Sequence, residues 1–124
     1  MTDPIFALIE KDRVARAALA AACKQHAAAE NAFGVGSKHP RITEAESAMD
    51  RAGDALEDTA AALANVEPTT MAGLLALIDY ALNGDTDGEA WPDLESDDDG
   101  RLRHWYFFCL QNVSGALRNL GVAA

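Results

Sequence analysis

The fold is decided by the first long segment of the chain, DPIFALIEKDRVARAALAAACKQHAAAENAFG, which spans residues 3–34. Asp3 can cap a helix, Pro4 suits the first helical position, and Gly34 supplies a stop signal. Between these signals, apolar residues recur at the 3-4 spacing of an amphipathic helix: Ile5, Leu8, Ala15, Leu19, Ala22, Ala29 and Phe33. Asp12 and His26 interrupt this seam. The segment predicts one helix over about residues 4–33, roughly 45 Å long.

A second segment repeats the pattern over about residues 43–66. It opens with a capping box from Thr43 to Glu46, and Pro68 follows its end. Its seam again has 3-4 spacing, with Thr59 inside it, and consists of Ala45, Met49, Ala52, Leu56, Leu63 and Val66. Because a short glycine-containing turn joins two alanine-rich helices, we expect an antiparallel hairpin that pairs as a short coiled coil.

Two shorter helices complete the expected all-α fold, a single domain over residues 1–124. The expected boundaries are residues 69–83 for helix 3, residues 84–98 for an acidic loop and residues 99–120 for helix 4. Helix 3 begins at Thr69 or Thr70 and is apolar on most of its circumference, so it should be buried on more than one side. Helix 4 should begin near Asp98 or Asp99, either of which is a good cap.

Negative charge is concentrated in one part of the chain. Eight of the twenty acidic residues lie in residues 85–99, which contain no Lys or Arg, and the net charge is -10. Nucleic acids and anionic membranes require basic clusters, so the composition argues against both as partners. A basic protein partner is compatible with it. The amino terminus lacks the pattern of a signal peptide, so we expect a cytoplasmic protein.

The acidic loop matches part of an EF-hand calcium loop. A count from Asn83 places oxygen ligands at positions 1, 3 and 5 and Gly88 at position 6. Position 12, which needs a bidentate Glu, is Leu94, and a second count from Glu95 places Tyr106 there. We therefore expect no metal site and no other cofactor, and any calcium affinity should be weak. The weak alternative set of metal ligands is Asp85, Asp87, Glu89, Asp97 and Asp99.

Catalytic patterns are missing from the sequence. No serine lies in a nucleophile-elbow motif, and the three histidines fall in different expected elements. We therefore expect no catalytic residue and no enzyme. The two cysteines, Cys23 and Cys109, are expected to be buried, reduced thiols.

The run PTTMAGLLALIDY at residues 68–80 resembles a segment of small uncharacterised bacterial helical proteins. In those proteins a Pro-Thr-Thr-x-Ala-Gly run follows a long alanine-rich helix and opens the next one. The resemblance implies a bacterial all-helical protein with a helix start here, and it transfers no functional site. Because Gly73 lacks a Cβ atom, it would also allow close approach of another helix.

The favoured function is a non-enzymatic helical interaction or regulatory module that self-associates. Two narrow alanine seams bury little area, whereas helices 3 and 4 offer more large apolar surface than the hairpin can cover. We therefore expect a homodimer built around helix 3 and an aromatic cluster in helix 4: Trp105, Tyr106, Phe107 and Phe108. The alternative is a cation- or effector-responsive protein that uses the acidic loop at residues 83–100.

Overall fold

Four α-helices account for most of the chain. The computed structural model describes residues 2–86, 91, 95–96 and 98–121. The helices are Pro4–Phe33 (α1), Pro40–Asn65 (α2), Met71–Thr86 (α3) and Trp105–Asn119 (α4). The predicted all-α fold with a long helical hairpin is confirmed, since α1 and α2 form the most extensive contact between helices. The shorter helices pack on this hairpin, α3 mainly on α1 and α4 mainly on α2. Within the described ranges, no helix has both the length and the hydropathy needed to span a bilayer.

The start of α1 also holds the start of α3. Oδ1 of Asp3 accepts a hydrogen bond from the backbone N–H of Ile5 at 3.1 Å. Its Oδ2 accepts three more, from the N–H groups of Thr69 and Thr70 and from the Thr70 hydroxyl. Burial alone would raise the pKa of Asp3, but these four donors hold it below its usual value. One carboxylate therefore caps α1 and ties it to the residues that precede α3.

The second helix begins three residues earlier than the capping box predicts. Its first residue is Pro40, and Nδ1 of His39 accepts a hydrogen bond from the N–H of Arg41 at 3.2 Å. The His39 ring also stacks on Phe33, with ring centres 3.6 Å apart. The expected start at residue 43 is wrong because proline at the first helical position and a histidine cap already satisfy the helix end.

The third helix runs past its expected stop at Asn83-Gly84 and ends at Thr86. Gly84 is buried, and a Cβ atom there would lie 3.2 Å from Nε1 of Trp91. This glycine therefore makes room for the Trp91 ring instead of ending the helix. At the other end, the Thr70 hydroxyl accepts a hydrogen bond from the N–H of Gly73 at 3.0 Å, which confirms Thr70 as a cap.

The fourth helix begins six residues later than predicted. Glu95–Ser96 (β1) pairs antiparallel with Leu102–Arg103 (β2), and the intervening turn includes Gly100 with a φ of 77°. Residues 102–103 are therefore extended and cannot belong to a helix. The predicted start at Asp98 or Asp99 is wrong, and so is the expectation that residues 84–98 form only a loop.

The core lies where the four helices meet, and its largest fully buried side chains include Trp105, Ile5, Leu63 and Leu77. The first half of α1 and the second half of α2 contribute core residues from the hairpin, and α3 and α4 contribute the residues that pack against them. The expectation that helix 3 is buried on more than one side is wrong for the single chain, because one side of α3 is exposed. Of the two cysteines, Cys109 is buried as expected, but Cys23 is exposed.

Candidate functional site

A group of polar contacts that joins three helices surrounds Asp12, which is fully buried. Its Oδ1 accepts a hydrogen bond from the hydroxyl of Thr59 on α2 at 2.8 Å. Its Oδ2 accepts from Nε of Arg16 at 2.7 Å and from the hydroxyl of Tyr80 on α3 at 2.6 Å. Three helices thus meet at one carboxylate. Neither Arg16 nor Tyr80 was foreseen from the sequence, although Asp12 and Thr59 stood out as polar residues inside two apolar seams.

The electrostatics of this network explain how a carboxylate can be buried. A buried charge is costly unless it is paired and hydrogen-bonded, and Asp12 has both a cationic partner and two hydroxyl donors. Burial, together with the hydrogen bond to Asp12, raises the pKa of Tyr80 far above its ordinary range. Tyr80 is therefore a neutral donor under all physiological conditions, and the network has no proton to exchange near neutral pH through this phenol.

An aromatic stack lies directly beside the network. The guanidinium carbon of Arg16 is 4.0 Å from the centre of the Trp91 ring. Trp91 stacks in turn on Trp105, with ring centres 4.1 Å apart and planes inclined by 17°. Nε1 of Trp105 donates a hydrogen bond to the carbonyl of Ala60 at 2.7 Å. The Arg16 guanidinium thus makes a cation–π contact with the face of the Trp91 ring. Such a contact is more favourable when the two groups are removed from water.

The Asp12 network is suited to holding helices in register and not to catalysis. A general base must reach a substrate proton, but both oxygens of Asp12 are sealed from solvent and already accept three hydrogen bonds. What the network can do is fix the relative positions of α1, α2 and α3.

The aromatic cluster predicted as an interface is divided between the core and the surface. Trp105 is 1% exposed and Phe108 is 8% exposed, so both pack inside the chain itself. Phe107 is half-buried, and the guanidinium carbon of Arg103 lies 4.5 Å from its ring centre. Tyr106, at 40% exposure, is the member that a partner would reach most readily. A role for this cluster in an interface stays a prediction.

Helix α3 exposes three large apolar side chains in a row. Met71, Leu75 and Leu82 are 54%, 59% and 60% exposed, and Ile78 between them is half-buried. Their spacing of four, three and four residues places them along one side of the helix. A neighbouring side of the same helix enters the core through Leu74, Leu77 and Ala81. Helix α3 therefore has two apolar sides, and the described part of the chain buries only one of them.

Most of the candidate metal ligands of the acidic loop lie outside the described residues. Asp87, Glu89 and Asp97 lie outside the described residues, as does the side chain of Asp85, while Asp99 is exposed. In the rest of the chain that the structure describes, no three His, Cys, Asp or Glu side chains are grouped closely enough to hold a metal ion. Two glutamates outside the acidic loop contact one histidine on opposite ring nitrogens. Nδ1 of His26 lies 3.0 Å from Glu30, and its Nε2 lies 3.7 Å from Glu46. This contact links α1 to α2.

Comparisons of the chain with protein-family models, with curated proteins and with solved structures find no match. The resemblance carried by residues 68–80 therefore stays a prediction.

Proposed function

We propose that this chain is a non-enzymatic helical interaction module that self-associates. The observation that supports this most directly is the exposed apolar side of α3, formed by Met71, Leu75 and Leu82 around a half-buried Ile78. These four residues form the α3 stripe. Large apolar side chains grouped on one surface are typical of sites where proteins associate, whereas scattered single residues need no explanation.

The described polar groups favour a structural role over an enzymatic one. The Asp12 network has a buried carboxylate that is fully engaged with neighbouring side chains. It holds α3 firmly against α1 through Tyr80, which lies on the same helix as the stripe. A rigid helix presents its apolar residues in a fixed arrangement, and this lowers the entropic cost of association.

The test is the mass of the protein in solution, with one substitution on the stripe and one elsewhere. Light scattering at micromolar concentration should report roughly twice the 13.2 kDa chain mass. Leu75→Asp should shift the protein to a monomer, because it places a charge in the middle of the stripe.

The matched control is Val14→Asp. Val14 on α1 is 60% exposed, nearly the same as Leu75, but it is not part of the stripe. This variant should keep the mass of the native protein. A monomeric native protein at that concentration would refute self-association, and equal effects of the two substitutions would remove the stripe from it.

A further inference from the structure

The spacing of the α3 stripe reads the same in both directions along the helix. From Met71 the steps are four residues to Leu75, three to Ile78 and four to Leu82. Two-fold symmetric dimers require a surface that complements itself, so that residue i contacts residue j while j contacts i. A stripe with a palindromic spacing meets this condition when two copies of the helix pack antiparallel.

We propose that α3 packs against α3 of a second copy of this chain, antiparallel and about a two-fold axis. In this arrangement Met71 lies opposite Leu82 of the partner subunit, and Leu75 lies opposite Ile78 of the partner subunit. The inference rests on the proposed self-association and adds to it the partner surface and the register. The two-fold axis passes midway along the stripe, between Ala76 and Leu77.

The distribution of charge favours a second copy over a basic protein as the occupant. The stripe spans residues 71–82, in which Asp79 is the single charged residue. A basic partner would be attracted to the strongly acidic parts of the chain, such as the exposed Glu46, Asp50, Asp54 and Asp58 on α2. A second copy with the same charge of -10 meets less repulsion at a surface that carries one charged residue than at the acidic parts of the chain.

The register also keeps the two Asp79 side chains apart. Symmetry about the midpoint places Asp79 level with Leu74 of the partner subunit, so the two Asp79 residues are offset by five positions. Five positions correspond to about 7.5 Å along the helix axis. The helix axes are themselves separated by about 8–10 Å in packed pairs. A parallel pairing would instead place the two Asp79 residues level with each other.

The register is tested by disulfide cross-linking between two single-cysteine chains. Cys23 is exposed and must first be replaced by Ser, whereas Cys109 can stay, because burial raises the pKa of its thiol to about 11 and keeps it unreactive. Met71→Cys and Leu82→Cys are then introduced separately, at positions that are both more than half exposed. The two proteins are mixed under reducing conditions and oxidised by dissolved oxygen.

The expected product is a covalent dimer that contains one chain of each kind, identified by its intact mass. Neither variant oxidised alone should cross-link, since residues 71 of the two subunits are then separated by eleven positions, about 16 Å. Leu110→Cys on α4, which is 64% exposed but outside the stripe, is the control and should give no product with either variant.

Three outcomes would overturn the register, and they separate it from the proposed function. Cross-linking of each variant with itself would mean a parallel pairing. A protein of twice the chain mass without the mixed product would mean that self-association uses another surface. A protein with the mass of a single chain would refute the register and self-association together.

Discussion

Asp12 is the side chain on which the packing of three helices depends most. Replacing it with Ala leaves the Arg16 guanidinium without its buried anion and removes the acceptor of the Tyr80 hydroxyl. The Thr59 hydroxyl loses its bond across the helices and keeps only the one to the carbonyl of Leu56 on its own helix. Removing one member of a buried ion pair typically costs about 3–5 kcal/mol. We expect Asp12→Ala to lower the free energy of unfolding by that amount, as measured by urea denaturation.

The control for Asp12→Ala is Asp54→Ala on α2, where the side chain is exposed and belongs to a row of acidic residues. Surface substitutions of this kind usually change stability by less than about 0.5 kcal/mol. If Asp12→Ala were equally mild, the network would contribute no more than a surface charge does.

Part of this network could be predicted from the sequence. Asp12, like His26, interrupts the apolar seam of α1, and Thr59 interrupts that of α2. An antiparallel hairpin can bring such polar residues of the two helices together. The contribution of Tyr80 could not be predicted in this way. Its distance to Asp12 depends on how α3 crosses α1, and this crossing is set by contacts between residues far apart in the chain.

Two internal glycines, Gly73 in α3 and Gly53 in α2, differ in whether packing requires them. A Cβ atom on Gly73 in α3 would lie 1.9 Å from Oδ2 of Asp3 and 2.9 Å from the side chain of Ile5. Asp3 cannot move aside without losing hydrogen bonds to residues 69 and 70. Gly53 in α2 has no such neighbour within 4 Å. Close approach of α1 to α3 therefore requires the first glycine, and no packing contact requires the second.

Substitution of these two glycines by Ala should change stability in opposite directions. Gly73→Ala should destabilise the fold by roughly 1–3 kcal/mol, because the added methyl group overpacks the junction of α1 and α3. Gly53→Ala should stabilise it by about 0.5–1 kcal/mol, because Ala restricts the unfolded chain and suits a helix interior. Thermal denaturation of both variants beside the native protein measures the difference. A stabilised Gly73→Ala variant would contradict the packing at this junction.

The boundaries of α1 were predictable because they are decided locally. Asp3, Pro4 and Gly34 act within one helical turn, and α1 begins and ends where they indicate. The end of α3 and the start of α4 depend on residues outside the helix instead. Gly84 stays helical because the Trp91 ring packs against it, and residues 102–103 are extended because they pair with residues 95–96. A local sequence pattern contains neither contact.

The chain as a whole separates its charge from its exposed apolar surface. Most of the excess negative charge lies in residues 85–99, whereas the α3 stripe has one charged residue within its span. Two copies that meet at the stripe gain apolar burial locally and meet repulsion mainly from charges located elsewhere. Repulsion of this kind acts over distance and through solvent, so it is sensitive to salt.

Salt should therefore strengthen the proposed self-association. The screening length falls from about 10 Å at 0.1 M ionic strength to about 3 Å at 1 M, which removes most of the repulsion between two chains of charge -10. The apolar contact itself is not weakened by this screening. We expect the dissociation constant of the dimer to fall as sodium chloride rises from 0.05 to 0.5 M, roughly a tenfold range of ionic strength, when measured by sedimentation equilibrium.

The Leu75→Asp variant should stay monomeric throughout, since its added charge is within the stripe. A dimer that dissociates as salt is added would instead be held together by ion pairs, and the acidic residues would then belong to the interface.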